Sequence, residues 1–323
     1  MQDIWPQLRN WFVRRERFAL ATVVDASKPS PRGIGAVLAI HEDGESFIGS
    51  VSAGCVEHEV MEAAKLCLED GKTRWLRFGP GSGFAWEVEL SCGGSIKVRV
   101  DPAPHLKDST SADFMERLVG LLDEHRPFLW KSSLEGELIS EELPGFLDTC
   151  EIGEGGEYAL YRIVGRRSRL VVVGASHIAL HLVAAAKMLQ YEVIVVDPRE
   201  HYARQERFLV EPDRLIVDWP ERVLGEFDLS TRDALVAVTH DPKIDDQALA
   251  SVLSTDCGYV GALGSKRSHA ARLKRLAARG CEDKQLNRIF GPVGLDVGSR
   301  TPAEIAISIV AQLIQERNKP KAR

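Results

Sequence analysis

Two cysteine loops and several glycine loops hold the residues whose types and spacing can do chemistry. In GSVSAGCVEHE (49–59) small residues precede Cys55, and a helical run begins just after it. A thiol at a helix N-terminus feels the positive end of the dipole, which favours the thiolate. The free first-turn N–H groups can also hold a phosphate. Glu57 is a first-turn acid that suits capping and slightly opposes thiolate formation. LSCGGSIKV (90–98) repeats the theme, with Cys92 before Gly93 and Gly94. Successive N–H groups in such a turn form an anion-binding nest, although a plain hairpin turn asks for the same glycines. SPRGIG adds Arg32, a fork for a phosphate or a carboxylate. The plainer readings are a packed thiol, a hairpin and a solvated arginine, and spacing alone leaves both sets open.

A second group lies further along. VVVGASHIA resembles a dinucleotide fingerprint: Gly174 follows a strand and opens a helix, and Asp197 ends the next strand. In a Rossmann unit the helix N-terminus faces the pyrophosphate and the acid binds ribose hydroxyls. Ser176 stands where the second glycine belongs and narrows that approach, so the motif speaks for the fold more than for NAD(P). His177 on the first turn is either an anion or proton-transfer group, or a helix-start histidine bonded to a backbone carbonyl. Thr239, His240 and Asp241 directly follow a strand, where open α/β sheets put ligand residues. Gly264, Ser265, Lys266 and Arg267 follow the next strand, and Gly294, Asp296 and Gly298 the last loop.

These loops need elements to position them. FALATVVDA (18–26), AVLAI (36–40), TRWLRF, FAWEVEL and SIKVRV read as strands, with helices over 56–70 and 111–126. From residue 169 the texture changes. RLVVVGA and EVIVVD are continuous apolar runs, as buried parallel strands should be. Strands RLIVD, DALVAVTH and YVGAL then alternate with helices. The predicted class is α/β: an N-terminal mixed α/β domain over 1–165, weakly patterned from 106, followed by a Rossmann-like doubly wound parallel-sheet domain over 166–323. The last helix is well specified, with Thr301, Pro302 and Glu304 forming a capping box.

Composition narrows the function classes. With 323 residues, 44% hydrophobic and 27% charged, the chain is an ordinary globular protein of about two domains. A net charge of −6, with 41 basic and 47 acidic residues, makes a poor binder of nucleic acid or of an anionic membrane. No apolar stretch reaches the roughly 18 residues that span a bilayer. The start, MQDIWPQLRNWFVRRERF, lacks the apolar core of a signal peptide and reads as an amphipathic helix, so a cytoplasmic protein is expected. The 6 cysteines include no C-x-x-C pair and are expected as free thiols, mostly packed in cores.

The motifs taken together, in order, resemble the XdhC/CoxI family of accessory proteins for molybdenum hydroxylases. The resemblance rests on SPRGIGA, GSVSAGCVE and LSCGG in the first half, and in the second on GASHIA, VVDPR, VTHDPKIDDQAL, YVGALGSKRS and GPVGLDVGSRTPAEIAISI. It implies a homodimeric chaperone without turnover of its own. Such a protein binds and protects the molybdenum cofactor, as molybdopterin or its cytosine dinucleotide form. It supports sulfuration by a cysteine desulfurase and hands the cofactor to the large subunit of an apo hydroxylase of the xanthine dehydrogenase type. A cofactor-biosynthesis or nucleotidyl-transfer protein would supply the cargo. The resemblance further implies that Cys55 contacts the molybdenum centre or the cofactor, with Gly54 and Glu57 shaping its loop, Cys92 and Arg32 in support, and Gly174, His177 and Asp197 as the Rossmann-like fingerprint. Pro29, Ala53 and Ser176 depart from the family's usual residues in these loops.

Two readings compete: an NAD(P)-dependent oxidoreductase, kept alive by His177 and His240, and a nucleotide-sensing Rossmann module, which leaves the Cys55 loop unexplained.

Overall fold

The computed structural model describes residues 4–27, 30, 32–80, 93–107, 112–124, 126–133, 136–141, 151–152, 160–164 and 166–319. The predicted strand FAWEVEL and Cys92 lie outside them, as do Lys28, Pro29 and Pro31. The chain divides into two units, Met1–Arg166 and Arg167–Arg323.

The first unit is organised by β1 (Phe18–Ala26), which pairs antiparallel with β2 (Val37–His41) on one side and β5 (Ile96–Pro102) on the other. Among the described residues β3 (Phe47–Gly49) and β4 (Arg74–Phe78) are the edges, giving the order β3-β2-β1-β5-β4. Both faces of β1 are buried because side chains alternate across a strand. Ala19, Ala21 and Val23 meet Val60, Ala64 and Cys67 of the helix Glu57–Asp70. Phe18 and Leu20 meet Leu8 and Phe12 of the helix Trp5–Arg14 and Leu118 and Leu122 of the helix Ala112–Asp123. The same cluster takes in Phe128 and Trp130 of β6 (Phe128–Ser133). That strand joins β7 (Gly136–Ser140), β8 (Glu151–Ile152) and β9 (Leu160–Val164) in a four-stranded antiparallel sheet.

The second unit is a parallel sheet of β10 (Arg169–Val173), β11 (Glu192–Val196), β12 (Arg214–Ile216), β13 (Ala234–Ala237), β14 (Tyr259–Ala262) and β15 (Ile289–Phe290). Its order is β12-β11-β10-β13-β14-β15, so the winding reverses between β10 and β13. That is the dinucleotide-fold arrangement, in which ligands bind beyond the carboxyl ends of the strands at the reversal. Leu170, Val172 and Val193 pack on the helices His177–Met188 and Pro302–Arg317. Val171, Val173 and Ile194 pack on the opposite face, against Ile244, Leu249 and Leu253 of the helix Pro242–Leu253. Valines buried on both faces, each worth about 1.5–3 kcal/mol of transfer free energy, explain why these strands read as unbroken apolar runs. The α/β class with a Rossmann-like second half is borne out. The structure adds the short strand β15, which the sequence pattern does not announce, and the helix after β13 starts at Pro242 instead of Asp245. No helix among the described residues is long and apolar enough to cross a membrane.

Candidate functional site

One end of the five-stranded sheet gathers the loops of the first unit. β1 leaves the sheet at Ala26, β2 enters at Val37, β3 leaves at Gly49, β4 leaves at Phe78 and β5 enters at Ile96, and the register places these residues together. The loops carrying Arg32 and Cys55 and the turn at Gly93 therefore emerge at the same end. Backbone bonds tie them to the strands: Ser50 N–H donates to Val37 (3.1 Å), Gly35 N–H to Val23 (2.8 Å) and Ser27 N–H to Ser95 (2.9 Å). Arg32 is half-buried, and its carbonyl accepts from the Ser30 hydroxyl at 2.7 Å.

The Cys55 turn is built around one carboxylate. Glu57 accepts from the Ser50 hydroxyl (2.6 Å), from the Ser52 hydroxyl, and from the N–H groups of Val51 (3.2 Å), Ser52 (2.9 Å), Gly54 (2.9 Å) and Val56 (3.2 Å). Ser52 Oγ takes the N–H groups of Cys55 and Val56, both at 2.9 Å. Burial alone would push the Glu57 carboxyl up, but the hydrogen bonds from Ser50 and Ser52 outweigh it and hold it at about 2. The chain supplies its own anion to the helix N-terminus, and the turn's donors are spent on Glu57 and on the hydroxyls of Ser50 and Ser52. What the turn presents is Cys55, half-buried against the apolar layer under the helix Glu57–Asp70. Cys67 and Cys257 differ: both are buried, and loss of water pushes their thiols up to about 12 and about 11.

In the second unit the reversal point brings Gly174 against Thr239. Gly174 has φ 103°, its N–H donates to Val196 at 2.8 Å, and a Cβ there would lie 2.4 Å from Thr239 Cγ2. Ser176 begins the helix without a capping bond, its Oγ shielded from solvent and, among the described residues, without a hydrogen-bond partner. His177 is exposed and its ring lies 5.4 Å from that of His181, one turn on. Asp197 is fully buried. It accepts from Ala175 N–H (2.8 Å), Arg199 N–H (2.9 Å) and the Arg199 guanidinium at 2.9 and 2.8 Å. Burial raises its carboxyl, but those bonds bring it below the usual carboxylate range. In this structure it locks the loop and turns no acceptor toward a ribose.

Beyond β13, the Thr239 hydroxyl donates to Asp245 at 2.6 Å and accepts from Asp241 N–H at 2.9 Å. Asp241 caps the helix Pro242–Leu253 through Lys243 N–H at 2.9 Å, and His240 is exposed at φ 64°. Ser265 caps the helix Lys266–Ala278 through Ser268 N–H at 3.1 Å, just after Gly264 at φ 143°. Two residues that sequence reading misses, Asp245 and Arg272, join these loops. Arg272, only 4% exposed, donates to Leu263 at 2.7 Å and stands 3.9 Å from Asp245. Burial pushes Asp245 up and Arg272 down. Among the described residues no group of three His, Cys, Asp or Glu side chains forms a metal site.

Comparison with known proteins now bears on both units. Residues 11–79 match the XdhC and CoxI family, and residues 170–313 match the XdhC Rossmann domain, together more than half of the chain. The chain belongs to the XdhC/CoxI family. It is 26% identical over 328 residues to a probable xanthine dehydrogenase subunit of Bacillus subtilis, covering 94% of each. It is 25% identical over 298 residues to the molybdenum cofactor insertion chaperone PaoD of Escherichia coli, covering 92% of this chain and 83% of that one. A crystal structure from Bacillus halodurans, described as a xanthine dehydrogenase, shares the fold with a TM-score of 0.75 at 24% identity, over 99% of this chain and 97% of that one.

Within this XdhC/CoxI-family chain, Ala53 has a conformational meaning. Ala53 sits at φ 61°, in the left-handed region where a Cβ is strained, directly before Gly54 at φ 110°. Ala53→Gly is expected to stabilise the first unit by about 1 kcal/mol, and Ala53→Val to destabilise it. Urea unfolding followed by tryptophan fluorescence checks both, and a destabilised glycine variant would contradict the strain argument.

Proposed function

We propose that this protein is a molybdenum-cofactor chaperone. It holds the cofactor as cargo, protects it, supports its sulfuration by a cysteine desulfurase, and delivers it to the large subunit of an apo molybdenum hydroxylase. It receives the cargo from a cofactor-biosynthesis or nucleotidyl-transfer protein and works as a homodimer in the cytoplasm. The observation that carries this reading is the Cys55 turn. Its internal anion frees the loop from holding the cargo's phosphate and leaves it to present one thiol, at the sheet end that also carries Arg32 and Gly93. A soft sulfur suits a soft metal centre. The relative named as a molybdenum cofactor insertion chaperone aligns with nearly the whole chain, which supports the same reading.

The test is cofactor content. The protein is made in a host that synthesises molybdenum cofactor, purified gently, and assayed for molybdenum and for oxidised, fluorescent pterin per chain. Near-stoichiometric pterin is expected, falling at least ten-fold in Cys55→Ala with thermal stability held. No pterin in either protein, even after incubation with free cofactor, would overturn the reading and return attention to nucleotide binding alone.

A further inference from the structure

We propose that the second unit has a nucleotide-binding cavity at the carboxyl ends of β11 and β12, which grips its ligand by a phosphate through Arg204 and Arg207. The cavity is about 920 Å³ and is lined by Glu200, Arg204, Glu206, Arg207, Leu215 and Val217, among others. That volume suits a small-molecule ligand. It lies beyond the carboxyl ends of β11 and β12, to one side of the reversal between β10 and β13.

The two arginines are placed by the backbone. Arg204 and Arg207 flank a single 3-10 turn, Gln205–Arg207, closed by Arg207 N–H donating to Arg204 at 3.2 Å. Arg204, extended at φ −117°, leads into the turn and Arg207 ends it, and both line the same cavity. One Nη of Arg207 donates to the carbonyls of Ala175 (3.0 Å) and Tyr202 (2.6 Å), which ties the cavity to the glycine loop after β10. Its guanidinium and that of Arg199 lie over the Tyr202 ring, at 5.3 and 4.3 Å. These contacts fix the Arg207 fork and leave its other N–H groups for a ligand. Arg204 is exposed, and among the described residues no ion pair joins either arginine to Glu200 or Glu206.

The rest of the lining selects a nucleotide over a bare anion. Glu200 and Glu206 supply acceptors for hydroxyl or amino groups, and Leu215 and Val217, the latter 48% exposed, supply apolar surface for a base. The ribose acceptor usual in such folds is missing, since Asp197 is buried and occupied by Arg199. The ligand is therefore read by cations at its phosphate. Free nucleotide and a nucleotide carried by the cofactor cargo share this chemistry.

Calorimetric titration of the full chain with ADP, CDP and inorganic phosphate tests the site. At least one nucleotide should bind at micromolar concentration, and inorganic phosphate at least ten-fold more weakly. Arg204→Ala, at an exposed position, should weaken nucleotide binding ten-fold or more, and Arg204→Lys less. Nucleotide released by acid from copurified cofactor, and lost in Arg204→Ala, assigns the site to the cargo. Binding of free nucleotide with pterin content unchanged in that variant assigns it to a free ligand. No nucleotide binding up to millimolar concentration, or equal affinity in Arg204→Ala, overturns the proposal. Pterin retention is scored separately, so the chaperone reading stands or falls on its own result.

Discussion

Glu57→Ala is expected to unlock the Cys55 turn and destabilise the first unit by about 3–5 kcal/mol. The carboxylate accepts from the N–H groups of Val51, Ser52, Gly54 and Val56 and from the hydroxyls of Ser50 and Ser52. Hydrogen bonds to a charged group contribute about 1.5–3 kcal/mol each, and donors left unsatisfied in a shielded place cost a further 1–3 kcal/mol. The sum is capped because the loop can relax toward water. Glu57→Gln keeps the shape but turns one acceptor into a donor facing donors, so it should recover only part of the loss. Acid should act in the same direction. The folded carboxyl lies at about 2, below its ordinary 4.5, so its stabilising contribution is full above pH 4.5 and lost as pH falls toward 2. Unfolding curves against pH check this: the wild type should lose stability across that window more steeply than Glu57→Gln. A loss under about 1 kcal/mol in Glu57→Ala would mean that the turn is held by something else. Pterin content should fall with the turn, because Cys55 keeps its residue type and loses its place.

Gly174→Ala should strongly destabilise the second unit. The left-handed φ of 103° alone costs a non-glycine residue about 1–2 kcal/mol. The added methyl would press into Thr239, with Cγ2 at 2.4 Å and the backbone nitrogen at 3.1 Å. Thr239 cannot retreat cheaply, because its hydroxyl is bonded to Asp245 and to the N–H of Asp241. Overpacking of this kind costs about 1–3 kcal/mol more. The expected total is about 2–5 kcal/mol, read as a fall of roughly 5–15 °C in the unfolding temperature of this unit. Ser176→Gly, in the same motif, makes no such collision and should change stability by less than about 1 kcal/mol. Equal stability of Gly174→Ala and wild type would show that the loop after β10 can shift to admit the methyl.

The parts of this fold that are legible in sequence are those where one local rule decides. Unbroken runs such as LVVVG and VIVV announce buried parallel strands, and Thr301-Pro302 with Glu304 announces a helix start that the structure closes as a capping box. Cys55 and Gly174 stand out because their neighbours are small. Glu57 reads only as a first-turn acid, since nothing in spacing shows that a loop will fold back to spend its donors on one side chain. Asp197 goes to a ribose by motif, and the signal for its actual partner is Arg199, two residues on. Arg272 looks like one more charge on a basic helix, because burial of a single side chain at 4% exposure depends on packing between distant loops. Arg204 and Arg207 carry no motif at all.

The sheet edges limit how copies of this chain can meet. In the five-stranded sheet they are β3, three residues long, and β4, which carries Arg74 and Arg77. In the six-stranded sheet they are β12 and β15, three and two residues long. Such edges offer few unpaired backbone groups to a neighbouring strand, and charge on one of them opposes stacking. Among the described residues, these edges disfavour extension of either of these two sheets by a second copy. Edges of this kind also oppose aggregation templated through these two sheets.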